Sequence, residues 1–139
     1  MRQQPCRARL RPYDVRLPIP GTTAGHDIHT VVQPDICVIC DPSNIEPSGC
    51  LGAPDFVVEV LSPGAMARDW RDKCTLYEEA GVGEYWIVSP QAQFITAFVL
   101  DAGTSRYRLL GEYAGPGLVP CATLPGLVLN WSDIFTELS

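Results

Sequence analysis

The sequence predicts a single-domain α/β or α+β sheet protein, with one main helix after the third strand and a hairpin and short helix at its C-terminal end. Three observations carry this expectation. Short β-rich runs recur along the chain, one stretch alone has helical periodicity, and 139 residues at 46% hydrophobic suffice for one buried core. No apolar run approaches the roughly 20 residues of a spanning helix, which excludes a helical membrane protein.

Residues 12–17 (PYDVRL) alternate polar and apolar side chains, as a half-buried strand does. Residues 18–29 read as a loop, broken by Pro20, Gly21 and Gly25. The β-branched run at 30–40 (TVVQPDICVIC) is interrupted by Pro34, which predicts an edge, a bulge, or a strand beginning near Asp35. Residues 41–53 (DPSNIEPSGCLGA) read as a long loop, of a length that is usually functional or mobile. Residues 55–62 (DFVVEVLS) are almost continuously hydrophobic, the pattern of a strand covered on both faces.

Residues 67–80 predict a helix closed by Gly81, with Trp70, Cys74 and Tyr77 as its apolar stripe. A strand follows at 84–88. Residues 94–101 and 106–113, joined across Ala-Gly-Thr-Ser, predict a hairpin. The tail holds Pro125-Gly126, a short apolar strand, and a helix at 131–138 capped by Asn130 or Ser132.

A formal net charge of −6 argues against a protein that coats nucleic acid by charge alone. The charge is unevenly placed: residues 1–16 carry Arg2, Arg7, Arg9, Arg11 and Arg16 against Asp14, whereas 17–139 hold 15 acids against five cations. A basic arm at 1–11, expected as a solvated terminus, thus precedes an acidic body. The first residues lack the apolar stretch of a secretory signal, so a cytoplasmic location and reduced thiols at all six Cys are expected. Cys37 and Cys40 have zinc-like spacing, but on a strand they point to opposite faces. A zinc-stabilised binding domain using Cys37, Cys40 or Cys50 with His26 or His29 is one alternative reading.

The chemistry concentrates on the strand at 55–62. Asp55 and Glu59 share a face, about 13 Å apart along the strand. A carboxylate at Glu59, among valines, needs a cation, a hydrogen-bonding partner or a metal. Asp35 reaches the same patch if its strand is the neighbour, and two carboxylates converging from adjacent strands suit Mg²⁺. Asp69, Lys73 and Tyr77 follow at helical spacing, so Lys73 points at the carboxylates if the helix packs back on the sheet. Against this stands a plainer alternative: a buried Glu59–Lys73 ion pair, Asp69–Lys73 as a surface pair, Asp55 as a turn residue, and Trp70 and Tyr77 as core.

The strings VQPDICVICD, GAPDFVVEVLSP and DWRDKCTLYEEAGVGEYWIVSP together resemble the core signature of the Uma-two family, restriction-endonuclease-like proteins of the PD-(D/E)XK nuclease superfamily. The match is dense over 31–90 and weaker over 12–17 and 124–135. The resemblance implies a restriction-endonuclease-like mixed β-sheet in a single domain over 1–139, with the family core at 12–90 and the hairpin and tail at 91–139. It implies that Asp35 and Glu59 hold Mg²⁺ or Mn²⁺, that Lys73 completes the catalytic set, and that Asp55, Asp69 and Tyr77 support it.

The superfamily lysine two residues after Glu59 is Leu61 here, and the resemblance implies that in this family it is displaced to the following helix, as Lys73. Two departures from the family stand out, the first being that its Ser-Pro-Ser-Thr turn reads Ser62-Pro63-Gly64-Ala65. The resemblance also implies a helical segment ahead of the core, expected to be missing here, and with it an exposed sheet face that a partner or second copy would cover. The expected function is Mg²⁺-dependent hydrolysis of DNA, with Arg7, Arg9 and Arg11 as backbone contacts. An inactive remnant serving as an interaction or dimerisation module is the competing reading.

Overall fold

Alternating side chains sort the chain into three sheets and two helices in a computed structural model that describes residues 6–18, 29–64 and 67–138. In chain order the strands are β1 (Arg7–Leu10), β2 (Val15–Pro18), β3 (His29–Val32), β4 (Ile36–Ile39), β5 (Ile45–Glu46), β6 (Gly49–Leu51), β7 (Phe56–Val60), β8 (Glu84–Ser89), β9 (Phe94–Asp101), β10 (Arg106–Tyr113), β11 (Leu118–Pro120) and β12 (Val128–Asn130). The helices are α1 (Ala67–Ala80), between β7 and β8, and α2 (Trp131–Leu138).

The main sheet runs β1-β4-β7-β8-β9-β10. Strands β7 and β8 are parallel and joined through α1, and the other neighbours are antiparallel. Within this sheet α1 does follow the third strand in chain order. The mixed α+β architecture expected from the sequence is the one observed.

Period-two alternation splits the apolar residues of the sheet into two cores. On one face Val38, Phe56, Val58, Trp86 and Val88 pack with Val119, Trp131 and Phe135 from the C-terminal segment. On the other, Cys37, Ile39, Val57, Tyr85 and Ile87 pack with Tyr77 of α1 and with Val15, Leu17 and Cys50 of the β3-β2-β6-β5 sheet. The central strands β4, β7 and β8 are therefore buried on both sides within the chain. The exposed face implied by the resemblance is not found at these strands, because the four-stranded sheet and α1 occupy it together.

The sequence places its punctuation well. Gly81, at φ 92, ends α1, where its N–H and that of Val82 both reach the Tyr77 carbonyl. The hairpin has the strand limits expected of it. Asn130 caps α2, its Oδ1 accepting from the Ser132 N–H at 3.0 Å.

Three expectations are corrected. Residues 7–10 of the basic arm form β1, an edge strand whose arginines suit a sheet margin, paired in register from Arg7↔Ile39 to Leu10↔Ile36. The presumed loop at 41–53 contains a 3₁₀ turn at Pro42–Asn44 and the short strands β5 and β6. The thiols are not all reduced: Cys6 and Cys40 form a disulfide, with Cys37, Cys50, Cys74 and Cys121 free. The pairing of β1 with β4 explains it, since the next step of that ladder sets residue 6 against residue 40.

Candidate active site

Pro34 shapes the site. The antiparallel register Ile36↔Val58, continued by two residues, sets Pro34 opposite Val60, where proline has no N–H to offer. Asp35 reaches across instead, its Oδ2 accepting from the Val60 N–H at 2.7 Å. Its backbone carbonyl accepts from the Arg11 N–H at 3.2 Å, and the Arg11 guanidinium stands 3.8 Å from Oδ1.

Glu59 lies beside it, one position before Val60 and on the α1 face of the sheet. It is only 5% exposed, and a carboxylate so buried needs partners. Helix α1 brings two, four residues apart on one face. The Lys73 ammonium donates to Oε2 at 2.9 Å and the Tyr77 hydroxyl donates to the same oxygen at 2.8 Å. Oε1 is left with one long contact, from the Asp35 N–H at 3.4 Å.

These groups open onto a cleft of about 410 Å³, lined also by Arg11, Asp69, Trp70 and Tyr85. Asp35, Glu59 and Lys73 are thus brought together, with Tyr77 behind them and Asp69 at the rim. The ion pair anticipated as the plainer alternative exists as well. It is half-open, because Lys73 keeps 45% of its side chain exposed against 6% for Glu59.

Asp55 is not part of this site. Its Oδ2 accepts from the Cys40 N–H at 2.6 Å, at the opposite end of β7 from Glu59, so it fastens the start of the strand to β4. Asp55→Asn is expected to cost about 1 kcal/mol of stability and to leave Mn²⁺ affinity unchanged, measured by denaturant unfolding and by calorimetry.

The zinc alternative meets a geometric obstacle. Cys37 packs in one core and Cys40 against the other, as period-two alternation requires, and Cys40 is bonded to Cys6. His26 lies outside the described residues. Among the described residues, no three His, Cys, Asp or Glu side chains are placed to hold a metal ion. The Asp35 and Glu59 carboxylates form a pair, with Asp35 Oδ1 and Glu59 Oε1 the least engaged oxygens. A set of two hard oxygens fits Mg²⁺, which is commonly held by one or two carboxylates while retaining water.

The tyrosines of this region are held neutral. Burial, and then the negative charge of Glu59, push the Tyr77 hydroxyl far above its ordinary range, and burial does the same to Tyr85 and Tyr107. An unfolded chain ionises these hydroxyls near pH 10, whereas the folded one keeps them protonated. Above that pH the unfolded state binds fewer protons, so stability falls as pH rises, by up to about 1.4 kcal/mol per pH unit for each such tyrosine. Tyrosinate absorbance from these three is expected to appear only with unfolding, observable by ultraviolet titration alongside circular dichroism.

Two cleft residues were not legible as such. Trp70, expected in the apolar stripe of the helix, packs partly against the α1-side core and also lines the cleft. Tyr85 gave no signal, because only the parallel pairing of β8 with β7, Val57↔Tyr85, brings its strand beside Glu59.

Comparisons with known proteins bear on the family and the fold. A family model named Uma2, described as "putative restriction endonuclease", matches residues 3–132. Among solved structures, a "putative nuclease" of DUF820 from Anabaena variabilis superposes with a TM-score of 0.72 at 24% identity, covering 98% of this chain and 71% of its own. No curated protein matches the chain significantly. With almost its whole length matched and its sheet and helices superposing on that nuclease, the chain belongs to the Uma2 restriction-endonuclease-like family.

Proposed function

We propose that the protein is a Mg²⁺-dependent phosphodiesterase acting on DNA. The observation that carries this reading is the convergence of Asp35, Glu59 and Lys73 on one cleft from three separate elements. Asp35 and Glu59 would hold the metal, which when bound supplies Lewis acidity and an activated water. Val60 adds a candidate oxygen, because the N–H and C=O of a strand residue point the same way and its N–H points at Asp35.

The chain's own groups have definable tasks. Tyr77, neutral and fully buried, fixes the Glu59 carboxylate from below through one oxygen. Lys73 balances the charge of Glu59 and, being half-exposed, can swing toward a phosphoryl oxygen or the attacking water. Arg11, just past the end of β1 and beside Asp35, is placed to meet a phosphate, and Arg7 and Arg9 precede it on the strand.

The test is cleavage of supercoiled plasmid with Mg²⁺ or Mn²⁺, read on a gel, with a chelator control. Lys73→Ala is expected to lower the rate roughly 10²-fold while the protein remains folded. A folded protein that neither binds Mn²⁺ by calorimetry nor cleaves would instead favour the inactive interaction module.

A further inference from the structure

One polar group at the cleft wall lacks a partner among the described residues. Tyr85 is fully buried and lines the cleft, yet none of the described residues hydrogen-bonds its hydroxyl. Native folds seldom leave such a group unsatisfied, and each exception calls for an explanation. Held protonated by burial, it is a donor awaiting an acceptor. The cleft wall offers a second, independent feature in the half-buried ring of Trp70, with the Arg71 guanidinium over it at 5.7 Å.

The approach to the cleft is also defined. Alternation along β1 places Arg7 and Arg9 on one face, and Arg11, one residue past the strand, is tied beside Asp35 at its end. The partners of Arg7 and Arg9, Ile39 and Cys37, pack on the α1 side, so the arginine row runs along the sheet edge on that side and ends at the cleft. Successive arginines are about 6.7 Å apart, two residues of an extended strand. By contrast, the chain as a whole has ten cations against 16 acids, and among the described residues the cleft sets Arg11 and Lys73 against Asp35, Glu59 and Asp69. A duplex-tracking surface needs a broader field of cations than this.

We infer that the substrate is a single strand: its backbone follows the arginine row of β1, and one unpaired nucleotide enters the cleft, with its base against Trp70 and a phosphoryl oxygen on the Tyr85 hydroxyl. Stacking on an aromatic ring supplies sequence-tolerant affinity where charge is scarce. The cleft, at about 410 Å³, is on the scale of one nucleotide. This inference rests on the phosphodiesterase reading for its ligand class, although its test does not depend on cleavage.

The probe is a short oligothymidylate, free or annealed to oligoadenylate, titrated at low salt with Ca²⁺ present and followed by tryptophan fluorescence. Trp86 and Trp131 are buried at 2% and 9% exposure, so quenching by a base reports Trp70. The single strand is expected to quench and the duplex not to. Tyr85→Phe should weaken single-strand binding roughly tenfold, with its melting temperature unchanged or raised, because an unpartnered hydroxyl has been removed. Trp70→Leu should abolish the quench and weaken binding by a similar factor, followed by calorimetry. An oligouridylate arm tells whether the preferred strand is DNA or RNA. Duplex binding as tight as single-strand binding, no binding by wild type, or full affinity in Tyr85→Phe would each overturn the inference. Single-strand binding without any cleavage would support it while removing the hydrolytic reading.

Discussion

Glu59→Gln is expected to lower metal-dependent cleavage by roughly 10²–10³-fold or more and to leave a folded protein. The substitution keeps the size of the side chain and one oxygen. That oxygen can still accept from the Tyr77 hydroxyl, the partner that is itself fully buried. The other terminal atom, in the place of Oε1, becomes an amide NH₂, which cannot ligate a hard cation, and the oxygen that Lys73 and Tyr77 share no longer carries charge. Lys73, with 45% of its side chain exposed, then turns to solvent, so losing the ion pair costs only about 1–2 kcal/mol rather than the penalty of a fully buried pair. Activity and stability are thereby separated. Calorimetric titration with Mn²⁺ should show binding weakened at least tenfold, and thermal melting should show a decrease of a few degrees. Retained cleavage with weakened stability would mean that the Glu59–Lys73 pair is architecture and nothing more.

How much of this was legible in the sequence follows from how local each signal is. The helix at 67–80, its Gly81 stop, the 94–113 hairpin and the Asn130 cap are written in periodicity and turn chemistry, and these survive unchanged. The face shared by Val57 and Glu59 is likewise local, being one pleat of one strand. Pro34 marks where the strand after Asp35 begins, but that this strand lies beside β7 is a non-local pairing that no local pattern states. The signals that failed depend on distant pairing. Nothing in residues 7–10 says that they extend the sheet beside β4, and nothing near Cys6 points to Cys40, 34 residues away. Tyr85 reads as another β-strand aromatic until β7 is known to lie beside it. Asp55 misled for the same reason: the side chain shares a face with Glu59, but its carboxylate is claimed by the backbone of the adjacent strand.

Glu84 makes the point from the opposite face of the sheet, and it carries the largest expected effect on stability. It begins β8 fully buried, yet four donors converge on its carboxylate: the Trp86 indole at 2.8 Å, the Thr123 N–H at 2.7 Å, the Ala122 N–H at 3.2 Å and the Cys121 thiol at 3.4 Å. Burial pushes that thiol up to about 11, so at neutral pH it keeps its proton. Three of the four donors lie between β11 and β12, so the carboxylate fastens the C-terminal segment, whose Val119, Trp131 and Phe135 cover this core. Glu84→Leu strands two backbone N–H groups and an indole N–H in an apolar interior. Its expected cost is about 3–5 kcal/mol, a third or more of the stability of a typical domain, read as a shifted urea midpoint. Glu84→Gln retains one acceptor but turns an NH₂ toward N–H donors, so it should fall in between. Because the cleft lies on the other face, Mn²⁺ affinity per folded molecule should not change in either variant. A loss below about 1 kcal/mol in Glu84→Leu would show that the segment docks by apolar burial alone and that the freed donors find other acceptors.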